Sequence, residues 1–165
     1  MRVRRSKMQV KQTGSKFEFS IEGAISEKCP LFDYSITDAT EIILDLEKMT
    51  FINSIGVKNW INWTFKIPSQ CKLELHKCPF VIINQVNIVQ GFLPKQARIQ
   101  SFFAPYISES GEEMTILCQR GTHYEYASPG FPPRLDIPET ITSSDNEEFE
   151  PDFVLSKISK FLDPS

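Results

Sequence analysis

Apolar and polar residues alternate most clearly over Lys16–Ile25, where Phe17, Phe19 and Ile21 are separated by polar neighbours; this predicts a half-buried strand and the first of a sheet. The pattern changes at Glu41. Ile42, Ile43, Leu44 and Leu46 form the short continuous run expected of a strand buried on both faces, with Asp45 and Glu47 marking its exit. After Phe51 and Ile52, both Asn53 and Ser54 suit a helix N-cap, because a short side-chain oxygen can accept from the free amides of a first turn. A helix is expected from near Ile55 to Lys66. Lys58, Asn59, Asn62 and Lys66 make one polar stripe, while Val57, Trp60, Ile61, Trp63, Phe65 and Ile67 cover the remainder and would pack on a sheet over most of the girth.

The segment Ser26–Thr40 has no periodicity and reads as a connection. Lys72–His76 is a short strand, Cys78-Pro79 punctuates it, and a second helix follows to about Gln90, with Gly91 suited to the left-handed position beyond a helix end. Ile99–Ile107 is rich in β-formers but contains Pro105, which favours an edge or a strand end. Strand, helix, strand, helix, strand is the order of βαβ units, so an α/β domain with a largely parallel sheet is expected over residues 15–107. Beyond it, residues 108–165 read as a C-terminal extension. Met114–Gln119 and His123–Tyr126 would form a hairpin around Arg120-Gly121-Thr122. A Pro-rich and then acidic linker would lead to a short terminal helix over Asp152–Leu162, too short to stand alone in water and therefore docked on protein.

Composition adjusts this picture little. The 165 residues, 41% hydrophobic and 24% charged, describe a globular protein with material for one core. The net charge of -3 is unevenly placed: residues 1–16 hold six bases and no acids, and residues 139–152 hold six acids and no bases. Both are expected to be solvated, 1–14 as a basic tail. The tail lacks the interleaved aromatics of a nucleic-acid surface, so no nucleic acid is expected as partner. No stretch approaches the roughly 20 apolar residues of a membrane span, and no apolar segment follows the charged start, which predicts a cytoplasmic protein with no membrane partner. Cys29, Cys71, Cys78 and Cys118 show no CxxC spacing and are expected as reduced thiols. Residues 71 and 76 would face opposite sides of a strand, so Cys71, His76 and Cys78 predict no metal site. Phosphate-loop, nucleophile-elbow and zinc-protease motifs are missing, and His76 and His123 are the only histidines. The expectation is a protein without enzymatic activity or cofactor.

Residues 41–57 resemble the central signature of STAS domains, the fold of bacterial anti-sigma factor antagonists. The hydrophobic strand with Leu44-Asp45-Leu46, the apolar pair Phe51-Ile52 and then Asn53-Ser54-Ile55-Gly56 carry the likeness, and PFVIINQVNIVQGFL over Pro79–Leu93 is similar to the family's later helix. More narrowly, INSIGVKNWINW, CPFVIINQVNIVQGFL and SFFAPY resemble a group of bacterial STAS-like proteins in which Pro-Tyr precedes a cysteine-rich, zinc-ribbon-like tail. Here Tyr106-Ile107-Ser108-Glu109-Ser110-Gly111 has serines in place of a Cys-x-x-Cys-Gly knuckle, a degenerate ribbon to be held by packing. The resemblance implies a STAS-like mixed sheet with helices mainly on one face, plus a small β-containing extension. It implies a non-catalytic module in bacterial signalling or regulation that binds a protein partner, whether a regulator, a kinase-like protein or a scaffold. The partner surface would be Asn53, Ser54, Ile55, Gly56, Lys58, Asn59, Asn62 and Trp63, with Ser54 matching the serine that a partner kinase phosphorylates in the antagonists. Asn53 stands where the family has aspartate, which shifts the expectation from a phosphorylation switch towards a binding surface. The alternative is a domain that senses a small ligand or nucleotide, an anion being held at the helix start. Self-association as a homodimer through the extension is also expected.

Overall fold

The structure is a computed structural model that describes residues 6–164. In chain order its strands and helices are β1 Lys7–Thr13, β2 Lys16–Ile25, β3 Glu41–Asp45, β4 Met49–Ile52, α1 Ser54–Phe65, β5 Lys72–His76, α2 Phe80–Ile88, β6 Ala97–Ile99, β7 Ser101–Ser108, β8 Glu113–Gln119, β9 Tyr124–Glu125, β10 Arg134–Leu135, β11 Ile141–Thr142, β12 Glu148–Pro151 and α3 Leu155–Ile158. Short 3-10 turns occur at Pro30–Asp33 and Ser159–Leu162.

A six-stranded mixed sheet runs β1-β2-β3-β5-β6, with β4 on the far half of β2. β2, β3, β5 and β6 are parallel, and only β1 is antiparallel. The register produces two apolar rows on one face: Val10, Phe19, Leu44, Leu75 and Ile99, then Phe17, Ile42, Leu73 and Ala97. Apart from half-buried Val10, every member of these rows is buried. The opposite face shows Lys11, Glu18, Ile43, Glu74 and Arg98 in one row and Gln9, Ser20, Asp45 and His76 in the next. Ile43 is therefore only half-buried, and β3 is covered on one face, not two.

The expected basic tail is a strand from Lys7 onward; residues 1–5 lie outside the described residues. Met8 and Val10 alternate with polar neighbours, and Gly14 (φ 61°) with Ser15 closes a two-residue turn onto Lys16. High charge density hid that alternation.

The boundary expected after Ile107 falls inside β7, which pairs with β8 over its whole length and with β12 on its other side. β7 also continues from the first sheet. Cys78 N–H donates to the Ser101 carbonyl (3.0 Å) and Phe103 N–H to the Cys78 carbonyl (2.9 Å), so the extension grows from the α/β core and shares its apolar cluster. The expected hairpin around Arg120-Gly121-Thr122 is a turn between strands that do not pair: β8 joins β7 and β9 joins β10. Pro105 lies mid-strand in an interior strand. It is tolerated because nitrogen and carbonyl of one residue point to the same side, and its carbonyl accepts from Asp152 N–H (2.9 Å) just where β12 ends.

The terminal helix docks within the chain. Phe161 makes edge contacts with Phe102, Tyr124 and Tyr126, Phe153 with Tyr106, and Ala127 N–H donates to the Leu162 carbonyl (2.8 Å). Most apolar residues of the extension thus pack on the chain's own core, while Phe131 and Val154 stay exposed. Among the described residues, no helix is long and apolar enough to cross a membrane.

Candidate functional site

The turn between β4 and α1 is fixed at every residue that shapes it. β2 is long enough to pair with β3 along its first half and with β4 along its second, where Gly23 meets Met49 and Ile25 meets Ile52. Asn53 N–H then donates to the Ile25 carbonyl (3.2 Å), and Asn53 Oδ1 accepts from Gly56 N–H (2.7 Å), which makes Asn53 the N-cap. Ser54 is left as the first helical residue, with its hydroxyl in solvent. Gly56 is buried against β2; a Cβ there would stand 2.1 Å from the Ile25 carbonyl oxygen.

Removing this cap has a defined cost. Asn53→Ala is expected to lose about 1 kcal/mol of stability in urea unfolding, and Asn53→Asp to lose none, because the carboxylate keeps the acceptor and adds favourable charge at the helix start. Equal losses in both variants would show that the cap contributes nothing.

Of the residues expected to meet a partner, Ser54, Ile55, Lys58 and Asn62 are exposed, Asn53 and Asn59 are half-buried, and Gly56 and Trp63 are buried. Trp63 is a correction. It is 3% exposed, meets Phe19 edge-on at 5.9 Å and donates Nε1–H to the Tyr34 carbonyl (3.2 Å), so it holds the helix to the sheet and is closed to a partner. Trp60 does the same one turn earlier, stacked on Phe92 at 5.5 Å and donating to the Phe92 carbonyl (3.0 Å). Two large apolar residues outside that set are exposed near it. Phe51 is 49% exposed beside the turn, and Phe65, expected on the covered side, is 87% exposed. Its spacing was readable, since Lys58, Asn62 and Phe65 follow i, i+4, i+7 on the polar stripe. With Ile55 at 52%, the outer face of α1 carries apolar groups at both ends, Lys58 between them and Lys66 just beyond Phe65 at the C-cap. Residues 54–66 contain no acid.

The open face of the six-stranded sheet is a weaker candidate because its charges cancel among themselves. Lys16 lies 3.9 Å from Glu41, and Glu74 lies 3.0 Å from Lys72 and 3.1 Å from His76. Burial pushes the Glu74 carboxyl up, but the hydrogen bonds and charges of Lys72 and His76 outweigh it and hold the pKa below the usual value.

No thiol cluster forms. All four cysteines are free and buried, and burial pushes the thiols of Cys71, Cys78 and Cys118 up, Cys118 to about 12. Among the described residues, no three His, Cys, Asp or Glu side chains gather as a metal site. Where a ribbon knuckle would place thiolates, the β7–β8 and β11–β12 tips are joined by oxygen. Ser108 Oγ lies 2.9 Å from Ser110 Oγ, and Ser110 Oγ donates to the Glu147 carboxylate. The Ser110 and Ser108 hydroxyls hold Glu147 below the usual carboxylate range, while Glu147 beside it raises Glu112.

No family model matches the chain, and no curated protein matches it. Among solved structures it is similar to the anti-sigma factor antagonist SpoIIAA in its unphosphorylated form, at 16% identity over 42% of this chain and 72% of that one, with a TM-score of 0.33. A likeness this partial assigns no function.

Proposed function

We propose that the chain is a non-catalytic, STAS-like protein-interaction module of bacterial signalling that engages a protein partner through the Asn53-Ser54 turn and the outer face of α1. The observation that carries this reading is the exposure of Phe51 and Ile55 beside a backbone held by the Asn53 cap and the Gly56 contact, with Phe65 exposed at the far end of the same helix. Large apolar groups on a rigid frame lose little entropy on binding, which suits them as anchors. Lys58 and Lys66 favour a partner, whether regulator, kinase-like protein or scaffold, that brings acidic side chains to the same face.

Ser54 is the regulatory point of this surface. Its hydroxyl is reachable, and a phosphate there would be stabilised by the helix start while placing about two negative charges beside Ile55. A partner that buries Ile55 would then have to desolvate that phosphate, so phosphorylation would release it.

The test compares proteins captured from the native cell by wild type, Ser54→Asp, Ile55→Asp and the open-face control Glu18→Gln. A partner kept by wild type and Glu18→Gln and lost by both site variants is the expected outcome. Identical capture by all four would remove the mapped surface. A phosphate-affinity gel of the native protein, with and without Ser54→Ala, reads whether Ser54 is modified.

A further inference from the structure

The two edges of the six-stranded sheet are treated differently. At β6 the edge is sealed by side chains: Ile99 N–H donates to Tyr126 Oη and Ile99 C=O accepts from Tyr124 Oη, both at 2.7 Å. A peptide cannot add there. At β1, among the described residues, no strand pairs with the far side, and the register with β2 runs from Lys7 to Thr13 without a bulge or proline.

The two-residue turn decides which groups lie open. It makes Thr13–Lys16 a hydrogen-bonded pair, and pairs then alternate, so Lys11–Glu18, Gln9–Ser20 and Lys7–Glu22 also exchange their backbone bonds. Met8, Val10 and Gln12 therefore turn N–H and C=O away from β2. The side chains of Met8 and Val10 are half-buried on the core face, whereas Lys7, Gln9 and Lys11 stand exposed on the other.

We infer that the β1 edge takes an extended segment of a partner protein in which acidic and apolar residues alternate. A strand laid on β1 would place every second residue beside Met8 and Val10 and the intervening ones beside Lys7 and Lys11. The charge selects the occupant. β1 carries Lys7 and Lys11 and no acid, so a second copy pairing strand to strand would bring four positive charges to one seam, whereas an acidic strand is attracted. Lysines on an edge strand also deter non-selective pairing, which leaves the edge open chiefly to a complementary sequence. This surface is separate from the α1 face and does not depend on it.

The test titrates the isotopically labelled chain with the peptide Glu-Val-Glu-Val-Glu-Val-Glu and with its lysine counterpart, and reads amide hydrogen exchange residue by residue. The acidic peptide is expected to slow exchange at Met8, Val10 and Gln12 about tenfold, with no change at Ile99, and to lose effect in high salt. The lysine peptide should do nothing. Val10→Pro removes an outward N–H that the β1–β2 ladder does not use, so it should fold and lose the binding. Should it fail to fold, Lys7→Glu with Lys11→Glu keeps the question open to refutation, because that variant must reverse the preference between peptides. No protection at millimolar peptide, protection that survives Val10→Pro, or no reversal in the double variant would overturn the inference.

Discussion

Gly56→Ala is expected to lower the unfolding free energy by about 3 kcal/mol, read as a lower urea midpoint at unchanged slope. Helix propensity alone predicts the opposite, since alanine inside a helix is favoured over glycine by about 1 kcal/mol. Geometry overrides that gain. The added Cβ would stand 2.1 Å from the Ile25 carbonyl oxygen and 2.8 Å from its carbon, both backbone atoms with no rotamer to change. Relief requires the helix start to move away from β2, which breaks the 3.2 Å bond from Asn53 N–H to that same carbonyl and tilts the capped turn. Ser54→Ala is the control: exposed, one turn position away from the contact, it should stay within about 0.5 kcal/mol of wild type. If Gly56→Ala matched the control, the close approach of α1 to β2 would be wrong.

The second large effect appears at alkaline pH. Burial pushes the Tyr106 and Tyr126 hydroxyls up to about 12 and Tyr124 higher still, against an unfolded value of about 10. The unfolded chain therefore loses these protons first. Stability is fully present below about pH 10 and is lost as pH rises towards 12, with Tyr126 alone accounting for roughly 2–3 kcal/mol. Urea unfolding at a series of pH values, with tyrosinate absorbance followed in parallel, measures the slope. In the double variant Tyr124→Phe with Tyr126→Phe, Ile99 N–H and C=O lose their partners, at roughly 1–3 kcal/mol each, and the protein is weaker at pH 7. Its stability also falls less steeply above pH 10. A double variant with the parent slope would mean that these hydroxyls ionise without opening the fold.

How much of this could be read beforehand follows from the range of each signal. Lys16–Ile25 and Lys72–His76 are strands at the expected residues because alternation is local and nothing distant contradicts it. The capped helix after Asn53 was legible for the same reason, although Asn53 is the cap and Ser54 the first helical residue. Pairing was not. Met114–Gln119 is a strand as expected, but its choice of β7 over Tyr124–Glu125 depends on a turn at Glu109–Glu112 that closes when Ser108 N–H reaches the Glu112 carbonyl (2.9 Å). At the site, residue type misled where direction mattered: tryptophan at 63 suggested an anchor, yet its ring points at Phe19, while Phe65 two residues on points outward.

The C-terminal segment that docks on the core also sets an order of assembly during synthesis. Tyr106 donates to the Pro138 carbonyl (2.6 Å), β7 is flanked by Glu148–Pro151, and Phe102 and Tyr124 are covered by Phe161. A ribosome that has just released the β4–α1 turn has made every residue of that surface but not the residues that close the core behind it. The outer face of α1 thus emerges long before the body that carries it can be sealed, and a holdase chaperone meeting the nascent chain would find Phe102 and Tyr124 bare until residue 162 is free of the exit tunnel.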